Sequence, residues 1–214
     1  MRKPYRVVLP LAAVLALTGL ATPASAASPV VLDEGHVDVF GIAYEDGALN
    51  LHVHDEAHEA EYDPSEVQLV AKPAAKTAVP DDPAYSFLGA ADAPVWVLPQ
   101  VEDPELLFAG IAAEEIAPGV FKDDTLKIDV VGVRGPADFS IFTVDGLGAP
   151  TVLADSGDGL PDRTTATAGG HKHANWAFEA AGTYQVWVRA QGTLAANGKT
   201  VYSPLETYTF KAQP

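Results

Sequence analysis

From Val30 onward the chain is a succession of short alternating or β-branched runs broken by Gly, Pro and Asp, and no long segment sustains a helical repeat. Alternation with period two sends successive side chains to opposite faces of a strand, so a chain of this kind must bury one face of each strand against another sheet. The clearest runs are His36–Tyr44, Ala48–His54, Glu66–Ala71, Val95–Leu98, Thr125–Val133, Phe139–Val144, Ala174–Phe178, Gly182–Ala190 and Glu206–Lys211. Their length and spacing predict an all-β fold, an antiparallel immunoglobulin-like β-sandwich with long loops. The stretch Ala181-Gly182-Thr183-Tyr184 agrees with this, because a Tyr that enters an alternating strand just after a Gly turn has the sequence form of a tyrosine corner. Pro104 to Ile116 is the one helical candidate, weakened by Gly110 at its middle. Lys72 to Pro94, rich in Pro and Ala, and Asp155 to Gly170 read as long loops.

The first 26 residues belong to a different class. Arg2, Lys3 and Arg6 make a basic start, Val7 to Leu20 is largely apolar, and Ala24-Ser25-Ala26 has the small-x-small pattern of a cleavage site. The reading is a cleavable signal peptide over residues 1–26, followed by a single β-sandwich domain over 27–214. The apolar run is too short to span a bilayer comfortably, and no second one follows. The expected localisation is therefore secreted or extracellular, at the cell surface or cell wall, with no membrane span after signal cleavage. A chain without cysteine excludes a disulfide framework, a thiolate zinc site, an iron–sulfur cluster and cysteine catalysis. A formal charge of -16 excludes a nucleic-acid binder, which needs a basic face.

Six histidines carry the chemical signal, and four of them form two His-x-His pairs, His52-Val53-His54 and His171-Lys172-His173. On a strand, residues i and i+2 share a face, so each pair presents two imidazoles side by side. The runs around the first pair predict a hairpin. With a three-residue loop Glu45-Asp46-Gly47, Phe40 faces His52, Asp38 faces His54 and His36 faces Glu56. Val37, Val39, Leu49, Leu51 and Val53 then share a core face, and His36, Asp38, His52 and His54 share the other. A two-residue Asp46-Gly47 loop would slip the register by one and turn His52 and His54 toward the face of Val37 and Val39. The first register sorts the apolar residues better but strands Phe40, Ile42 and Tyr44 among the histidines. In the second pair's segment Trp176 and Phe178 enter the core, which leaves His171 and His173 at the strand mouth beside Gly169-Gly170.

The candidate metal ligands are thus His36, His52, His54, His171 and His173, with Asp38 as an alternative ligand or as the group that orients one. The set is imidazole with a carboxylate and no thiolate or thioether, so it favours Zn²⁺, then Cu²⁺, Ni²⁺ or Mn²⁺. Neutral imidazoles are required, so affinity is expected to fall below about pH 6.5. His58 lies in an acidic run and reads as solvated. Asp155 to Asp162 has a calcium-loop flavour, but Ala166 stands where an EF-hand needs its bidentate Glu. The adjacent pairs Glu114-Glu115 and Asp123-Asp124 would point to opposite faces of a strand and read as solvated charges. No Gly-x-Ser-x-Gly, His-Glu-x-x-His or phosphate-cradling loop occurs, and the chain reads as a non-enzyme.

Glu34-Gly35-His36-Val37-Asp38-Val39, Leu51-His52-Val53-His54-Asp55, Pro94-Val95-Trp96-Val97-Leu98-Pro99-Gln100 and His171-Lys172-His173-Ala174-Asn175-Trp176-Ala177-Phe178 occur in that order, followed by Gly182-Thr183-Tyr184. In these stretches the chain resembles the actinobacterial surface-anchored protein domain family, also described as the choice-of-anchor M domain, over roughly residues 30–212. The resemblance implies an exported surface or wall protein associated with a metal-type ABC transporter or its binding protein. Members often carry a C-terminal anchor, whereas this sequence stops at Pro214, so a secreted form is expected. The rival expectation is a structural or adhesive surface module that meets a polysaccharide, another cell-wall component or a protein through Trp96, Trp187 and the long loops. A metal hydrolase comes third, for want of a general base.

Overall fold

The computed structural model describes residues 28–214, so the signal-peptide expectation for residues 1–26 lies outside the described residues. The strands in chain order are β1 (Val30–Leu32), β2 (Gly35–Glu45), β3 (Ala48–Asp55), β4 (Ala60–Tyr62), β5 (Val67–Ala71) and β6 (Lys76–Ala78). Then come β7 (Pro94–Leu98), β8 (Leu107–Ala112), β9 (Phe121–Arg134), β10 (Phe139–Val144), β11 (Pro150–Asp155) and β12 (Asp162–Thr167). The last are β13 (His171–His173), β14 (Asn175–Phe178), β15 (Gly182–Leu194), β16 (Thr200–Tyr202) and β17 (Glu206–Ala212). The described residues are nearly all-β and form three sheets. A seven-stranded sheet runs β1-β5-β17-β15-β9-β12 with β16 on β15, and two five-stranded sheets run β11-β10-β14-β7-β6 and β13-β8-β2-β3-β4.

Strict alternation builds the seven-stranded sheet: Tyr184, Val186, Val188 and Ala190 of β15 and Tyr208, Phe210 and Ala212 of β17 are buried, with less buried residues between them. Their aromatic rings meet both smaller sheets in one core. Phe40 of β2 lies 4.9 Å from Tyr208 and 4.8 Å from Trp176 of β14, while Phe139 of β10 lies 5.7 Å from Phe210. The Tyr184 hydroxyl donates to the Ala180 carbonyl at 2.9 Å and accepts from the Ala180 amide at 3.1 Å, which is the corner geometry its sequence position suggested.

Several expectations need correction. The sheets are not wholly antiparallel, since β1 with β5, β17 with β5 and β2 with β8 pair in parallel. Pro104 to Ile116 is no helix. It contains β8, a nearly continuous buried run of the kind a central parallel partner requires. Asp155 to Gly170 is not all loop, because the Thr-rich run of β12 pairs with β9. Lys72 to Pro94 is pinned by two 3₁₀ turns, Pro73–Ala75 and Pro83–Leu88, and by β6. Beneath it Val79, Leu88, Val95, Phe142 and Ala177 form a small second core.

The β2–β3 hairpin combines both registers considered above. Its tip is the two-residue Asp46-Gly47 turn, with φ of 50° and 84°, and Glu45 faces Ala48. Gly41 therefore faces His52. A bulge then opens between Asp38 and Gly41, and beyond it Asp38 faces His54. The extra residue reverses the parity of β2. Val37 and Val39 enter the core before it, and Phe40 and Ile42 after it, which removes the stranded aromatics without turning His52 inward.

Candidate metal centre

The strand registers gather the polar residues into rows on the face of the β13-β8-β2-β3-β4 sheet opposite the core. Cross-strand partners share a face. One row reads His173, Gly110, Asp38, His54, Glu61, and the next reads His171, Ala112, Gly41, His52. His36 precedes the first row, opposite Phe108. Gly110 in the first row and Ala112 and Gly41 in the second thus stand between ligand candidates and leave space above them for the larger side chains. At Gly110 an added Cβ would stand 2.7 Å from His171 Nε2 and would overlap Asp38 Oδ1, and at Gly41 it would overlap the His52 ring.

Three atoms converge over Gly110. His36 Nε2 and His171 Nε2 are 3.2 Å apart, His171 Nε2 is 2.9 Å from Asp38 Oδ1, and His36 Nε2 is 3.5 Å from the same oxygen. Two ligands of a tetrahedral zinc ion, each at about 2.05 Å, stand about 3.3 Å from each other, so this triangle has the size of one face of a coordination sphere. His173 joins it, since His36, His171 and His173 each bring a ring nitrogen within 4.8 Å of the others. Its Nδ1 is 3.1 Å from the Ala109 carbonyl, which takes the Nδ1–H and leaves the Nε2 lone pair free to bind an ion. The same carbonyl accepts the Trp176 indole N–H, so the core supports the ligand directly. Phe108 stacks on the His173 ring.

Burial, reinforced by the neighbouring His171 and His36 and opposed by the Ala109 hydrogen bond, lowers the His173 pKa to about 4, so its ring is neutral at physiological pH. Burial raises the Asp38 carboxyl, and His171 and then His36 oppose it. Asp38 is 2% exposed, and its Oδ1 has no hydrogen bond. A buried carboxylate oxygen whose only polar neighbours are two imidazole nitrogens needs a protonated imidazole or a cation beside it to offset its burial. Together with the donor chemistry, these groupings could hold a metal ion.

The first His-x-His pair does not join this group. His52 gathers instead with Glu61 and Glu115, one ligand atom each within 4.8 Å. His54 sits between Asp38 and Glu61 in its row, with Nδ1 3.9 Å from Glu56 Oε1. His58 is exposed and bonds Asp55 at 2.7 Å. Glu114 and Glu115, expected above as solvated charges on opposite faces, are exposed but stand beside the histidines. They do point apart, but toward different histidines: Glu114 Oε1 lies 3.8 Å from His171 Nδ1, and Glu115 lies beside His52. Burial raises the Glu115 carboxyl, His52 opposes this, and the Glu61 carboxylate beside it pushes the same way as burial. Only a loop crossing the sheet could bring them there, and no local pattern announces it. Asp155 is tied up by the Gly157 amide and Ser140 rather than offered to an ion. Trp96, expected as a contact residue of an adhesive surface, is buried under Lys76.

Among the described residues no helix is long and apolar enough to cross a membrane. The chain matches no family model, and neither a curated protein nor a solved structure is detectably similar to it.

Proposed function

We propose that the protein is a non-catalytic, immunoglobulin-like sandwich that works outside the cell and binds a divalent transition-metal ion, zinc first among them, through an inner group of His36, His171, His173 and Asp38. The observation that carries this reading is the triangle of His36 Nε2, His171 Nε2 and Asp38 Oδ1, with sides of 2.9 to 3.5 Å around an otherwise unpartnered buried oxygen. Imidazole nitrogens with one carboxylate suit Zn²⁺, Cu²⁺ or Ni²⁺ better than Ca²⁺ or Mg²⁺, which take oxygen ligands. The sequence resemblance supports a place at the cell surface, scavenging the ion for a metal-type ABC transporter or delivering it to that system. Calorimetric titration of the chelator-stripped protein with zinc chloride tests the reading. The parent should show a tight heat-releasing phase that is lost in His171→Ala with His173→Ala. A tight phase unchanged in that variant removes the inner group from consideration.

A further inference from the structure

We infer that His52, Glu61 and Glu115 form a second divalent-cation site, separate from the inner group, so that the chain takes up two ions. Three elements supply the set: β3 gives His52, the edge strand β4 gives Glu61, and the turn after β8 gives Glu115. Their convergence depends on Gly41. The His52 ring lies over that residue, with Cδ2 2.6 Å and Cε1 3.0 Å from where a Cβ would stand, and any side chain there would displace the imidazole from its present place beside the two carboxylates. One nitrogen and two carboxylate oxygens make a harder set than the inner imidazoles, suited to Zn²⁺ and Mn²⁺ alike. Glu61 and Glu115 are exposed, so an ion held there exchanges with solvent more readily than one at the inner group.

A second observation ties the set to a ligand. His52, Glu115 and Glu114 line a cleft of about 90 Å³ that also reaches Asp38, whose buried Oδ1 has no hydrogen bond. Most of its lining is thus carboxylate or imidazole, with His54 also on the wall beside Gly41, Ile42 and Ala112. Two of the three outer groups, His52 and Glu115, share this cleft with Asp38 of the inner group, so a cation held by the outer set has a polar route to the inner one.

Equilibrium dialysis of the protein against zinc chloride, with the bound metal counted per chain, tests the inference. The parent should take two ions in a tight and a weak class. Glu61→Gln with Glu115→Gln should lose the weak class and keep the tight one, and His52→Ala should do the same. His171→Ala with His173→Ala should keep the weak class, and His58→Ala should keep both. Thermal unfolding in excess chelator checks that each variant folds. The glutamine pair replaces exposed side chains, so its fold is expected to be intact. A zinc count that the glutamine pair leaves unchanged overturns the second site, whatever the total. One ion per chain, lost in the glutamine pair and kept in the histidine pair, would instead remove the inner group and leave this site standing.

Discussion

Adding one methyl group at Gly110 should disable the inner group while leaving the sheet in place. A Cβ there would stand 2.7 Å from His171 Nε2 and 3.4 Å from Asp38 Cγ, and would overlap Asp38 Oδ1. Ordinary contact begins near 3.4 Å, so the imidazole would have to retreat by about 0.7 Å and the carboxylate further. Metal sites tolerate errors of about 0.2 Å in ligand distance. Losing a group that merely orients a ligand costs about 10- to 100-fold in affinity. Displacing two ligands at once should cost at least the upper figure, about 2.8 kcal/mol at about 1.4 kcal/mol per tenfold. The extra carbon should also cost about 1–3 kcal/mol of metal-free stability as overpacking, and each kcal/mol is worth about 2–4 °C in a chain of this size. Competition for zinc against a chromophoric chelator gives the affinity of Gly110→Ala, and a melt in chelator gives its stability. Zinc affinity within about threefold of the parent, alongside a lowered metal-free Tm, would refute the argument. Asp38 and His171 could not then be holding the same ion.

Other outcomes test the scaffold. Tyr184→Phe removes both bonds to Ala180 and should lower stability by about 1–2 kcal/mol, read as a Tm loss of a few degrees with zinc affinity unchanged. Trp176→Ala empties a fully buried site and should cost about 3–5 kcal/mol in chemical denaturation; Trp176→Phe, which chiefly withdraws the donor to Ala109, should cost much less. The Arg163 guanidinium, bonded to Asp129 through Nε at 2.6 Å and Nη2 at 3.0 Å, holds that carboxyl below the usual carboxylate range. A depressed folded pKa stabilises the fold above the unfolded value of about 3.9 and ceases to do so as pH falls through the folded value. Asp129→Asn should thus lower Tm at pH 7, and its deficit should shrink in melts below about pH 4; a constant deficit would show that the charge is not responsible.

Much of this fold is legible because period-two alternation is a local property. The strands at Ala48, Phe139, Gly182 and Glu206 begin where their patterns begin. β8 escaped because a strand buried on both faces loses its alternation and reads like a buried helix segment. In the hairpin, neither uniform register could place Phe40 inward and keep Asp38 opposite His54, and that conflict was the sign of a bulge. His36, Asp38, His171 and His173 were legible as ligand candidates through their spacing and rarity. Their grouping was not, because it depends on β13 pairing with β8 beside β2, a contact between distant parts of the chain. Glu61, Glu114 and Glu115 resemble any other solvated acids until the sheet is assembled.

His36 and His171 are 135 residues apart in a chain that has no cysteine to cross-link it. An ion shared between them closes a loop of that length. By chain-entropy reasoning a permanent link of such span would restrict the unfolded ensemble by about 5 kcal/mol. A metal bound there would act as a staple that can be put in and taken out, and resistance to unfolding would then rise and fall with the free ion concentration around the molecule.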